Sequence, residues 1–249
     1  MRFDDKVAIV TGAGRGIGEA YAVALAQRGA QVAVAEIDEA QGTRVAAEIR
    51  HAGGQAQFFC TDVASPESCN ALAEKVVSEF GGIDYLVNNA AIFGGRRKES
   101  LMSVDYAYYQ HFMNVNMNGQ LLITRAVHQH MAERGGGAIV NQSSSAAWAG
   151  GDFYSLSKAA TNALTISLAR ELAPLNIRVN AVAPGPTDTE ATREAVTAER
   201  LAHIVKQMPL ARMGTTTDIV DSMLFLLSDH ASWITGQVLS VDGGSVMRF

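Results

Sequence analysis

Short apolar runs rich in β-branched residues alternate with longer Ala-rich stretches of helical period along the whole chain. The runs at 6–11 (KVAIVT), 31–36 (QVAVAE), 57–61, 83–87, 138–142, 177–183 and 238–241 read as strands. Most are nearly continuous in apolar residues, which predicts a sheet covered on both faces. Between them the spacing predicts helices over 17–28, 39–52, 104–133, 154–172 and 218–227, with another opening at Ser65-Pro66-Glu67. Ser is a good N-cap, and Pro suits the first helical turn. Gly29, Gly53-Gly54, the triplet at 135–137 and Pro174 supply the stops, and a break is expected in the long helix near 116–119. Residues 184–215 are the least regular, with short helices expected. A connection that long inside a compact domain usually serves as a lid or binding loop, so it reads as a substrate lid.

Strand–helix alternation with right-handed crossovers predicts an α/β fold. The expectation is one doubly wound parallel sheet of about seven strands with helices on both faces, a single domain over 1–249. In such a sheet ligands bind outside the carboxyl ends of the strands.

Composition narrows the function. With 48% hydrophobic and 18% charged residues, the chain is an ordinary globular one. The net charge of −5 leaves no basic excess to neutralise a phosphate backbone, so nucleic acid is not expected as a partner. Two cysteines, Cys60 and Cys69, make neither a disulfide framework nor a zinc pair. His128 and His130, two apart on a helix, do not share a face, and no metal is expected. The opening MRFDDKVAIVTG lacks the apolar core of a signal peptide. No run reaches the roughly 20 residues of a membrane span. The expectation is a reduced, cytoplasmic protein without a membrane partner.

Candidate chemistry begins in the loop Thr11-Gly12-Ala13-Gly14-Arg15-Gly16-Ile17-Gly18, between the first strand and the first helix. A pyrophosphate there needs close backbone approach, which Cβ atoms would obstruct, and the helix N-terminus offers free N–H groups. Gly12, Gly16 and Gly18 are the expected phosphate-loop glycines. Glu36 closes the second strand, where an acidic residue bonds the adenosine ribose. A carboxylate there repels a 2′-phosphate and favours NAD over NADP, whereas the Arg15 cation would favour NADP. A second candidate is Tyr154 with Lys158, at i and i+4 on one helix face. A neighbouring ammonium favours the phenolate and lowers the phenol pKa from about 10, making Tyr154 an acid or base for proton transfer. The preceding strand ends in Gln142-Ser143-Ser144-Ser145, so hydroxyls can lie beside that phenol.

These segments, with Asp62-Val63, Asn88-Asn89-Ala90-Ala91, Val115-Asn116, Asn180 to Gly185 (NAVAPG) and Val241-Asp242-Gly243-Gly244, stand in one order over essentially the whole chain. In that order they resemble the short-chain dehydrogenase/reductase family, single-domain Rossmann-fold oxidoreductases that use NAD(P). The resemblance implies that Tyr154 is the general acid or base, that Lys158 lowers its pKa and holds the nicotinamide ribose, that Ser144 bonds the substrate oxygen, and that Asn116 supports a water relay to Lys158. It implies cofactor contacts at Gly12, Arg15, Gly16, Ile17, Gly18, Glu36, Asp62, Val63, Asn88, Ala90, Tyr154, Lys158, Pro184, Gly185, Thr187 and Thr189. It also implies a homotetramer. Three features depart from the family pattern: Ala91 stands where glycine is usual, the 144–154 loop is short, and Glu36 replaces the commoner aspartate.

Phe93, Trp148, Phe153, Met208 and Met213 lie near the expected pocket and suggest an apolar substrate, unless they pack the loops together. The run Arg96-Arg97-Lys98 could meet the phosphate of a thioester substrate, or be a solvated loop. The function expected is NAD(P)-dependent interconversion of a hydrophobic secondary alcohol and its ketone, with NAD ahead of NADP. The alternatives are a 3-oxoacyl-carrier-protein or coenzyme-A reductase and, more distantly, a cofactor sensor without turnover.

Overall fold

The computed structural model describes residues 1–248. Seven strands form one sheet: β1 (Val7–Thr11), β2 (Gln31–Glu36), β3 (Gln55–Cys60), β4 (Tyr85–Asn88), β5 (Gly137–Gln142), β6 (Ile177–Pro184) and β7 (Val238–Val241). They lie in the order β3-β2-β1-β4-β5-β6-β7, and every pairing is parallel. The helices are α1 (Gly16–Ala26), α2 (Glu39–His51), α3 (Pro66–Phe80), α4 (Tyr106–Met113), α5 (Gly119–Glu133), α6 (Phe153–Leu172), α7 (Glu190–Ala195), α8 (Ala198–Gln207) and α9 (Thr216–Leu227).

Alternate residues of β1 point to opposite faces and seed two cores. Ala8 and Val10 pack with Tyr21 and Leu25 of α1, Val45 of α2 and Ile219 of α9. Val7 and Ile9 pack with Leu72 of α3, Ile123 of α5 and Leu168 of α6. All five residues of β1 are buried, as the continuous apolar run requires. Ser65 caps α3 by accepting from the Ser68 N–H at 3.1 Å, with Pro66 in the first turn.

The chain winds outward from β1 to β3, then crosses to β4 on the other side of β1. That reversal opens a crevice at the carboxyl ends of β1 and β4. The stretch 104–133 is not a continuous helix. α4 and α5 are joined by a π-helical turn, Asn114–Asn118, which carries buried Asn116. The break arises because Asn116 bonds the backbone of Ile92 in the loop after β4, accepting at 2.8 Å and donating at 3.1 Å. β3 starts two residues earlier than its apolar pattern indicates, because Gln55 and Ala56 pair with β2 whatever their polarity. Residues 184–215 form the end of β6, the short helices α7 and α8, and a bridge from Thr187 to Gly214.

Candidate active site

A cleft of about 640 Å³ runs along the carboxyl ends of the strands. At one end lies the glycine loop. Thr11 closes β1, and its hydroxyl accepts the N–H groups of Asn89 and Ala90 at 3.0 and 3.1 Å, tying the loops after β1 and β4 together. Asn89 donates to the carbonyls of Thr11 and Gly12, both at 2.9 Å. A Cβ on Gly18 would sit 2.1 Å from the Gly12 carbonyl oxygen, so only glycine lets α1 start this close to the loop. Gly16 has φ +60°, and a Cβ there would meet nothing nearer than Thr189 at 3.9 Å. The loop therefore leaves open space in front of the free N–H groups of α1, a cradle suited to a pyrophosphate.

Glu36, at the end of β2, faces the same end of the cleft. One carboxylate oxygen accepts from Gly14 N–H at 2.9 Å, and the other from Ile37 and Asp38 N–H at 2.9 and 3.2 Å. These bonds hold the carboxylate beside the loop and leave lone pairs for a diol. Arg15 is exposed and makes no side-chain cap bond. Asp62 and Val63 follow β3 on the cleft wall, where Asp62 also accepts from Ala64 N–H at 2.8 Å. Gly12, Ile17, Ala90, Pro184, Gly185, Thr187 and Thr189 line the cleft as well. Thr189 caps α7 through Thr192 N–H at 3.2 Å.

Two expected residues lie off the cleft wall. Asn88 is buried behind it, donating to Asn141 at 2.9 Å and Thr124 at 3.3 Å. The last residue of β4 points its side chain into the sheet–helix layer, so that any contact of Asn88 with the cofactor is left to its backbone. Neighbouring Asn89 reaches the cleft instead. Nothing in the paired asparagines distinguishes the two without the strand's end. Asn116 is also buried and spends its amide on Ile92.

The chemistry gathers across from the glycine loop, where Ser144, Tyr154 and Lys158 all line the cleft. Ser144 follows β5, and its Oγ accepts from Ala146 N–H at 3.2 Å. Asp152 caps α6, accepting from Ser155 N–H at 2.8 Å, and so sets the direction in which Tyr154 and Lys158 leave the helix. Lys158 is buried, with Nζ donating to the Gln142 carbonyl at 2.8 Å. An ammonium has three donors, so others remain for a ligand. Burial pushes the Lys158 pKa down to about 8. Burial also raises the Tyr154 pKa, opposed by the Ser144 hydroxyl and the Arg96 charge. The Tyr154 pKa thus stands above its ordinary value, and the groups that pull it down are Ser144 and Arg96 rather than Lys158. Lys158 Nζ is 5.8 Å from the phenol centroid, whereas the Arg96 guanidinium is 4.7 Å away.

Arg96 and Asp152 were not among the expected site residues. The basic run divides: Arg97 and Lys98 are exposed, as a solvated loop would be, and Arg96 is not. Arg96 turns into the cleft and pairs with Asp152 at 3.1 Å, and Arg97 stacks on Tyr108 at 4.6 Å. Of the five apolar candidates only Phe93 lines the cleft, with its ring 5.0 Å from that of Tyr154. Phe153 is core, packed edge-on to Phe112 at 4.8 Å, and Trp148 lies under Arg248 at 3.5 Å. Met208 sits beneath Gly243, and Met213 is off the cleft. The apolar wall is instead Ile92, Val115, Val196, Leu201 and Ile204, with Phe93. Ala91 avoids positive φ, as a residue with a Cβ in that turn must. Among the described residues no cluster could hold a metal ion, and no helix is long and apolar enough to cross a membrane.

Comparison with known proteins gives concordant matches. A family model described as Enoyl-(Acyl carrier protein) reductase matches residues 12–246. An uncharacterized oxidoreductase of Mycobacterium tuberculosis is 56% identical over 246 residues, spanning 99% of both chains. A 7alpha-hydroxysteroid dehydrogenase of Escherichia coli is 37% identical over 251 residues, spanning 100% of this chain and 97% of that one. A solved 7 alpha-hydroxysteroid dehydrogenase complexed with NADH and 7-oxo glycochenodeoxycholic acid superposes with a TM-score of 0.93 at 36% identity, covering 99% of this chain and 96% of the other.

Proposed function

The chain belongs to the short-chain dehydrogenase/reductase family of oxidoreductases, and from that premise we propose that it interconverts a hydrophobic secondary alcohol and its ketone with NAD. The observation carrying this reading is that Ser144, Tyr154 and Lys158 share one cleft wall facing a glycine cradle. Bound there, a nicotinamide dinucleotide supplies or accepts the hydride equivalent. The chain's own residues manage the proton and the charge. In ketone reduction Tyr154 Oη gives its proton to the carbonyl oxygen. In alcohol oxidation the phenolate takes the hydroxyl proton. Ser144 donates to the same oxygen and stabilises charge developing on it. Lys158, fixed at Gln142, would hold the nicotinamide ribose with its remaining donors. Asn116 holds the π-helical turn beside this wall, the place for the water relay to Lys158. Residues 184–215 act as the substrate lid. The cleft contacts of Val196, Leu201 and Ile204 support that role, as does the packing of Gly94 against Ala191 and Glu194 of α7.

The apolar wall supports a hydrophobic substrate, as does similarity to a relative named for hydroxysteroids. The inward turn of Arg96 removes part of the support for a phosphate-bearing thioester. The proposed assembly is a homotetramer, supported by exposed Leu156 and Ile166 on α6 and Leu239 on edge strand β7, and the proposed setting is cytoplasmic.

Glu36 makes a separate prediction. A bound NADP would bring its 2′-phosphate toward this carboxylate, so NADH should bind at least about tenfold more tightly than NADPH, a difference of about 1.4 kcal/mol. Glu36→Ala should narrow that ratio. Fluorescence titration with both cofactors measures it, and tighter NADPH binding by the native protein would refute the role given to Glu36.

A further inference from the structure

We propose that Arg96 is a positioning residue for the proton-transfer step, a second cation that holds negative charge on the Tyr154 phenolate. This rests on the reading that Tyr154 carries the proton. The guanidinium lies 4.7 Å from the Tyr154 ring centroid and 5.0 Å from that of Phe93. Lys158 is farther away, at 5.8 Å, and is tied to the Gln142 carbonyl. A cation over a phenol face is attracted to the ring, and more strongly once the ring carries charge. The Arg96 side chain is only 15% exposed, so water and salt screen its field weakly. Its Nη2 donates to Asp152 Oδ2 at 3.1 Å, while Nη1 is enclosed without a partner among the described residues.

The charged and polar groups around Tyr154 come from several elements. Arg96 comes from the loop after β4, Asp152 caps α6, Lys158 lies one turn further along that helix, and Ser144 follows β5. His111 of α4 and Glu190 of α7 stand elsewhere on the cleft wall. Arg96 opposes the upward push of burial on Tyr154, and Asp152 works in the other direction. The pair is therefore a tuning device: Arg96 favours the phenolate, and Asp152 moderates how much.

Phenolate absorbance followed against pH tests this without a substrate. Each spectrum is corrected by subtracting that of the matching protein carrying Tyr154→Phe, which removes the other five of the six tyrosines. Arg96→Met, which keeps bulk but no charge, should move the Tyr154 titration up by about one pH unit. Arg96→Lys should stay near the native titration. Asp152→Asn keeps a helix cap and should move it down. If Arg96→Met fails to fold, Arg96→Gln serves as the neutral planar variant. An unmoved titration in the neutral variant, equal shifts for Lys and Met, or an upward shift for Asp152→Asn each overturn the proposal. The function proposed above fails on a different result, turnover that survives Tyr154→Phe.

Discussion

Tyr154→Phe is expected to lower turnover by about 10²–10⁴-fold while leaving dinucleotide affinity nearly unchanged. The substitution removes one oxygen and keeps the ring, so the packing against Phe93 and under Arg96 survives. The glycine cradle, Glu36 and the loop after β3 do not touch the missing hydroxyl. The pH dependence carries a sign. Oxidation needs the phenolate, so its rate should climb as pH rises through the Tyr154 titration. Reduction needs the protonated phenol and should fall over the same range. Because burial holds the Tyr154 pKa up, both limbs lie toward alkaline pH. Steady-state rates in both directions, with cofactor affinity measured separately, check the result. Native-like turnover in the variant would remove Tyr154 from the mechanism.

Lys158→Met is expected to abolish most activity and at the same time stabilise the unliganded fold. A buried ammonium favours its neutral form, and the Lys158 pKa falls from 10.5 to about 8. Keeping it charged in the folded state then costs on the order of 3 kcal/mol at neutral pH, at about 1.4 kcal/mol per unit. Methionine keeps the bulk without that cost, but the Gln142 carbonyl loses its donor at 2.8 Å, worth about 1–2 kcal/mol. The net gain is roughly 1–2 kcal/mol. By linkage the unfolded chain binds this proton more tightly, so the cost is full below about pH 8. It fades between there and the unfolded value of 10.5, and the advantage of the variant should fade with it. Denaturant unfolding of both proteins across that range measures the difference. A variant less stable than the native protein at neutral pH would show that the buried charge is fully compensated within the fold.

The sheet was legible in the sequence because parallel strands covered on both faces are apolar throughout, and glycines and prolines punctuate the helices between them. The glycine loop and the Tyr154–Lys158 pair were legible because each is local, set by spacing along one turn or one helix. What the sequence hid depends on contacts between distant segments. Which way the Asn88 side chain points is set by its place as the last residue of β4. Arg96 lies 56 residues before Asp152, with which it pairs, and nothing local shows that it folds inward while Arg97 stacks on Tyr108. Phe153 reads like a pocket residue beside Tyr154, yet the first turn of α6 directs it into Phe112 and the core. The break near Asn116 was foreseen, but its cause, two hydrogen bonds to Ile92, is tertiary.

The most direct test of the account is to give the protein NADH deuterated at the transferable position of the nicotinamide, with a hydrophobic cyclic ketone and a 3-oxoacyl thioester offered separately, and to weigh the products by mass spectrometry. The account predicts one deuterium on the carbinol carbon of the cyclic alcohol, with formation lost in Tyr154→Phe. Label retained in the cofactor or released to solvent, or transfer that continues undiminished without the Tyr154 hydroxyl, would contradict it.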